Sequence, residues 1–210
     1  MRIILFTFAL TLQFIIMAAC KSQQKLEEER NILEVYEYEA EKFHRLLTQI
    51  PTFDGFDFPI CKPEGAGCYD ANPFGTDDHL GEDWNAGPNN KDLGKPIYSI
   101  GNGVVVYSRD IGNGWGKVLR VIHRVQTGNS FDYIEALYAH FHKMEPSLGD
   151  FLTRGQRIGT IGTAGGSYEA HLHLELRSRI AMPIGGGYSA NTAGFLVPKV
   201  YIKQHRPKKN

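Results

Sequence analysis

Lys117-Val-Leu-Arg-Val-Ile-His-Arg-Val125 and Tyr133-Ile-Glu-Ala-Leu-Tyr-Ala-His140 are two β-rich runs with Thr127-Gly-Asn129 between them. They read as two long strands joined by a hairpin turn. Upstream, Pro96-Ile-Tyr-Ser-Ile100 and Gly103-Val-Val-Val-Tyr107 are β-rich as well, and Gly112-Asn-Gly-Trp-Gly116 reads as the next turn. Downstream, Arg157-Ile-Gly-Thr-Ile161 and His171-Leu-His-Leu-Glu-Leu-Arg177 add two strands linked through Gly165-Gly166. A short last strand is expected near Val197–Ile202, after the loop Gly185-Gly-Gly187. No long helical period follows Pro51. Glycine occurs 23 times, where ordinary usage of about 7% gives about 15; the excess fits many tight turns. The expected fold is mainly β: an antiparallel sheet or barrel-like sandwich, preceded by one helix.

That helix is expected over Lys25 to Ile50. Leu33, Tyr36, Ala40, Phe43, Leu47 and Ile50 recur at alternating steps of three and four, a coiled-coil-like seam. So few heptads rarely hold a dimer, and one helix docked on the body is the commoner outcome; a monomer is expected. Before it, Met1-Arg2 and the apolar run Ile3 to Met17 have the order of a secretory signal and are short for a membrane span. Met17-Ala-Ala-Cys20 resembles the lipobox of bacterial lipoproteins, with Met17 where that family prefers Leu. The resemblance implies lipid on Cys20, export and membrane anchoring. The organisation is then signal peptide 1–19, lipid-anchored helical spacer 20–50, body 51–203 and basic tail 204–210.

With Lys+Arg 23 and Asp+Glu 23 the formal net charge is zero, which argues against a nucleic-acid partner. In an exported chain Cys61 and Cys68 are free to pair. A disulfide closing so small a loop is worth about 2–3 kcal/mol in the chain-entropy model. The rival reading is a metal pair, for which the spacing is wide and no further ligands stand close by.

Two histidine arrangements carry the chemistry. In His171-Leu-His173, alternation along a strand puts both imidazoles on one face and the leucines on the other. Glu175 shares the histidine face, farther along. In His79-Leu-Gly-Glu-Asp83, Gly81 permits a turn that lets imidazole and carboxylate converge. Two histidines and an aspartate match the three protein ligands of a catalytic zinc site.

These motifs resemble peptidase family M23, the lysostaphin/LytM-type zinc peptidases of peptidoglycan, over roughly Phe74 to Arg177. His79 and Asp83 match its His-x-x-x-Asp, followed by Gly94-Lys-Pro-Ile-Tyr98. Tyr138-Ala-His140 matches its middle signature and His171-Leu-His173 its His-x-His. The resemblance implies a duplicated hybrid motif fold, one Zn2+ per chain on His79, Asp83 and His173, and a non-ligand catalytic pair His140 and His171. It also implies a zinc endopeptidase acting on stem peptides or cross-bridges. The alternative is a non-catalytic wall-binding or amidase-regulator module of the same fold, against which the five filled positions argue.

Zinc acidifies a water and polarises a carbonyl, and imidazoles serve as base or electrostatic clamp, roles the sequence leaves open between His140 and His171. No His-Glu-x-x-His is present. His142 is expected at the rim or in solvent, His123 as a satisfied strand histidine and Glu82 turned away from the site; Trp84 and Trp115 could stack on sugar or line a peptide groove, with core packing the expected outcome for each.

Overall fold

The computed structural model describes residues 23, 25–27, 30, 39–112 and 114–207. The signal segment 1–19, Cys20, Leu33, Tyr36, Lys208 and Lys209 lie outside the described residues. The chain divides into two units, residues 1–45 and 46–210. Of the expected helix, residues 23, 25–27, 30 and 39–48 are helical. In the first unit, Glu39–Lys42 at 3.9 Å and Glu41–Arg45 at 4.0 Å are exposed ion pairs at helical spacing, worth about 0.3–0.5 kcal/mol each.

The second unit is one antiparallel sheet of ten strands. These are β1 (Tyr69–Asn72), β2 (Glu82–Asn85), β3 (Pro96–Tyr98), β4 (Gly103–Asp110) and β5 (Lys117–Thr127), followed by β6 (Ser130–Met144), β7 (Phe151–Leu152), β8 (Arg157–Ile161), β9 (Leu172–Arg177) and β10 (Phe195–Leu196). The main path runs β1-β2-β9-β6-β5-β4-β7, with β10 on β9 and β3 on β8, which itself pairs with β6. The path is open, ending at β1 and β7, so no closed barrel forms. The two long runs form the β5–β6 hairpin, in register from Thr127↔Ser130 outward. Gly128, at φ 60°, sits in its two-residue turn, a left-handed conformation that glycine adopts without a Cβ penalty.

Alternation sorts β6 and β9 into two faces. Ala136, Tyr138, Leu172, Leu174 and Leu176 join Ile97, Ile100, Leu119, Val121 and Ile158 in the main core. A fully buried side chain of this kind contributes about 1.5–3 kcal/mol, so the sheet is held mainly from this side. On the opposite face lie His173, Glu175 and Arg177 of β9, directly across from Ala139, Leu137 and Glu135 of β6. Leu137 and Ala139 pack there with Val118, Tyr107 and Trp115. That polar face, two strands wide, is the floor of the candidate site.

Two sequence expectations meet corrections or direct description here. No strand covers Val197–Ile202; β10 ends at Leu196, and Pro198–Gln204 is an α-helix. Proline at the first helical position has its φ already set and no amide to waste, and Pro198 and Ile202, one turn apart, both face the interior. Cys61 and Cys68 are joined by a disulfide, which pins the turn that precedes β1.

Candidate metal centre

Register brings the pieces together. Asp83 of β2 is the direct cross-strand neighbour of His173 on β9, so their side chains rise side by side from one face. His173 in turn faces Ala139 of β6, placing His140 one residue beyond. His79 precedes β2 and pairs with Tyr188, while His171 pairs with Gly162, each as an isolated bridge.

The ligand-type atoms of His79, Asp83 and His173 converge. His173 Nδ1 lies 2.9 Å from Asp83 Oδ1 and 3.1 Å from His79 Nε2, and His79 Nε2 is 3.5 Å from Asp83 Oδ1. Ligands on a tetrahedron around zinc, at bond lengths of about 2.0–2.1 Å, lie about 3.4 Å apart. The residues therefore fit a divalent cation. Two imidazole nitrogens and a carboxylate oxygen crowd one point, and a positive charge between them relieves their mutual repulsion. His79 Nδ1 lies 3.0 Å from the Asn72 carbonyl; a carbonyl can only accept, so Nδ1 carries the proton and Nε2 offers its lone pair.

The electrostatics agree. Burial pushes the Asp83 carboxyl up, but the His173 hydrogen bond and the neighbouring imidazoles outweigh it and hold the group below the ordinary carboxylate value. Burial also pulls His173 down, yet hydrogen bonds to Asp83 and Glu175 win and push it up to about 9. Without a metal, a proton on Nδ1 occupies the place of the cation, and a metal must displace it. His79, 1% exposed, is lowered first by burial, against the attraction of Asp83.

His140 and His171 stand beside this cluster with ring centroids 4.7 Å apart. His140 has φ 65°, a left-handed backbone that costs a non-glycine residue of order 1–3 kcal/mol and gathers at functional sites. Its Nδ1 is 3.1 Å from the Trp115 carbonyl, and His171 Nδ1 is 2.8 Å from the Glu169 carbonyl. Each Nδ1 therefore donates, and each Nε2 is left free. His171 Nε2 lies 3.5 Å from Asp83 Oδ1. Burial, reinforced by His171 and His173, pushes His140 down to about 3, so it stands neutral with Nε2 unprotonated.

Gly81 lies in the bend between His79 and β2 and has a second use besides the turn. A Cβ there would meet His173 Cε1 at 2.7 Å and the Leu174 carbonyl oxygen at 2.7 Å. The glycine thus also gives room for the His173 ring.

A profile of peptidase family M23 matches residues 78–185, just over half of the chain. The chain belongs to peptidase family M23. It is 32% identical over 112 residues to the peptidoglycan DD-endopeptidase ShyA of Vibrio cholerae, covering 53% of this chain and 24% of that protein. It is 36% identical over 86 residues to the lipoprotein YgeR of Escherichia coli, covering 41% of this chain and 31% of that protein. The chain thus spans about a quarter to a third of the length of these two relatives. A solved structure of lysostaphin from Staphylococcus simulans is similar at 24% identity and a TM-score of 0.46, over 65% of this chain and 48% of that one.

Around the M23 motif residues the structure adds cleft walls, of which Tyr168 and Tyr188 were not singled out by the sequence. Trp115, Tyr168, Gly186, Gly187 and Tyr188 line the same cleft as Asp83, His140, His171 and His173. Trp115 does both: it packs on the cluster of Val118, Leu137 and Ala139 and lines the cleft, edge-on to His173 at 5.2 Å, with Nε1 donating to the Gly185 carbonyl at 3.2 Å. Its position in a glycine-rich turn was the available signal, because such turns project side chains off the sheet. Trp84 is in the core, 2% exposed, and Glu82 points to that side, accepting from Trp84 Nε1 and the Lys199 amide. Burial, then Asp70, raises Glu82 to about 7. His142 is exposed. His123 donates through Nδ1 to the Asn102 carbonyl, while its buried Nε2 has no hydrogen-bond partner, so it is half-satisfied. Glu175 is close enough to matter, with Oε1 3.2 Å from His173 Nε2.

Proposed function

We propose that the chain is a zinc-dependent endopeptidase that hydrolyses peptide bonds in peptidoglycan stem peptides or cross-bridges. The observation that carries this reading is the convergence of His79 Nε2, Asp83 Oδ1 and His173 Nδ1 within 2.9–3.5 Å of one another, with two non-ligand imidazoles alongside. Bound zinc supplies a Lewis acid that polarises the scissile carbonyl and acidifies an attacking water. His140 and His171 supply the proton chemistry: one Nε2 lone pair takes a proton from the nucleophile, and the other imidazole, when protonated, donates its Nε2–H to the developing oxyanion. Positioned groups of this kind contribute about 10²–10⁴-fold each. Trp115, Tyr168 and Tyr188 wall the cleft and offer aromatic faces to the apolar portions of a peptide.

ShyA is named a peptidoglycan DD-endopeptidase, which supports this reading. YgeR, named a lipoprotein, supports export and lipid anchoring at Cys20, with peptidoglycan as the partner. The test is mass spectrometry of muropeptides released from purified sacculi. Release of products with one cleaved peptide bond, lost in His140→Ala, is the expected result; intact sacculi with zinc-loaded protein would overturn the enzyme reading in favour of a binding module.

A further inference from the structure

Beyond His173, the same face of β9 carries Glu175 and Arg177, both 0% exposed. Every donor of Arg177 has an acceptor. Its Nε and Nη2 reach Glu175 Oε2 at 2.9 and 2.6 Å. Its Nη1 donates to the Met182 and Pro183 carbonyls at 3.4 and 3.1 Å, and Nη2 also to the Ile184 carbonyl at 2.9 Å. Those carbonyls lead into Gly186, Gly187 and Tyr188 of the cleft wall. Arg177 therefore cannot turn, and Glu175 Oε2 cannot leave it.

Glu175 Oε1 is left over, 3.2 Å from His173 Nε2. An ionised carboxylate can only accept, so Nε2 holds a proton. The other ring nitrogen, Nδ1, faces Asp83 and His79. We propose that Glu175 is a positioning residue: by accepting from His173 Nε2–H it makes Nδ1 the nitrogen offered to the metal, and Arg177 locks the carboxylate in that register. The proposal rests on the zinc reading of His79, Asp83 and His173.

The donor inventory makes a sharp discrimination possible. In Glu175→Gln the guanidinium, which only donates, claims the amide oxygen. The amide NH2 then faces His173 Nε2, which must accept, and the ring proton moves to Nδ1 in competition with the metal. A substitution that changes one atom thus inverts the preferred tautomer.

The experiment strips the full chain of metal and titrates it with zinc alone against a competing chelator. Glu175→Gln is expected to weaken zinc at least tenfold, within the 10–100-fold range for the groups that orient metal-bound histidines, while its circular dichroism and thermal transition remain those of a folded protein. A change below threefold overturns the proposal. In parallel, 15N-histidine spectra of the zinc-loaded wild type are expected to show His173 with its proton on Nε2 and its metal on Nδ1; the reverse assignment overturns the proposal even where the Gln variant fails to fold. Should the wild type take up no zinc, the metal reading itself falls, an outcome distinct from zinc bound equally well by both proteins.

Discussion

Asp83 Oδ1 and His173 Nδ1 lie 2.9 Å apart although 90 residues of chain separate them. The contact is made by the β2–β9 register, in which Asp83↔His173 is one of three successive pairs. A one-residue slip would send His173 to the core face and Leu172 or Leu174 into the cleft. The buried leucines on the other side of β9 therefore enforce the register on which the candidate metal site depends. Core packing and site geometry are two faces of one strand pairing.

Metal content should follow the charge balance of the cluster. Asp83→Ala removes the only anion among the three proposed ligands and leaves two imidazoles facing each other at 3.1 Å. Elemental analysis is expected to find about one zinc per wild-type chain and a small fraction of that in the variant. Equal zinc in both proteins would rule out Asp83 as a ligand.

Catalysis and binding should separate at His140. Its Nδ1 is tied to the Trp115 carbonyl and it contributes no atom to the ligand triangle. His140→Ala is expected to keep its zinc and lose about 10²–10⁴-fold in the rate of muropeptide release. Loss of zinc together with activity would move His140 into the ligand set.

Gly81 makes a steric prediction. Its missing Cβ leaves space for the His173 ring and the Leu174 carbonyl oxygen, each 2.7 Å from where that carbon would stand. The carbonyl belongs to the β2–β9 pairing and cannot yield cheaply. Gly81→Ala is expected to cost about 1–3 kcal/mol by overpacking, seen as a lowered denaturation midpoint, and to lower zinc affinity by pushing the imidazole aside. Unchanged stability and affinity would show that the ring has slack.

The strands of the body were legible because β-branched runs between glycine-rich turns have few alternatives; Lys117–Thr127 and Ser130–Met144 extend the quoted runs by a few residues at their ends. The five motif residues were legible through spacing. Register was not, since nothing local in Glu82-Asp-Trp-Asn85 names its partner strand. Val197-Pro-Lys-Val-Tyr-Ile202 misled because Val, Tyr and Ile favour strands, whereas Pro198 at a helix start and the burial of Ile202 decided the outcome. Trp115, Tyr168 and Tyr188 reach the cleft from three separate loops. Glu175 was visible on the correct face, but only the structure gives its 3.2 Å approach to His173.

His123 should give the fold an acid-side weakness independent of the cleft. It is wholly buried, edge-on to Phe56 at 5.4 Å, with Nδ1 2.9 Å from the Asn102 carbonyl. Burial pushes its imidazole down to about 4, only partly offset by that hydrogen bond. An unfolded histidine titrates near 6.5. Between those values the unfolded chain binds a proton that the folded chain refuses, so stability falls as pH drops from about 6.5 to about 4 and the effect is complete below. The linkage is worth about 3 kcal/mol. Denaturant midpoints of chelator-treated wild type and His123→Leu, measured across this window, are expected to show the wild type losing stability relative to the variant as the pH falls, because only the wild type carries this slope. Parallel curves would mean that His123 takes up its proton without unfolding.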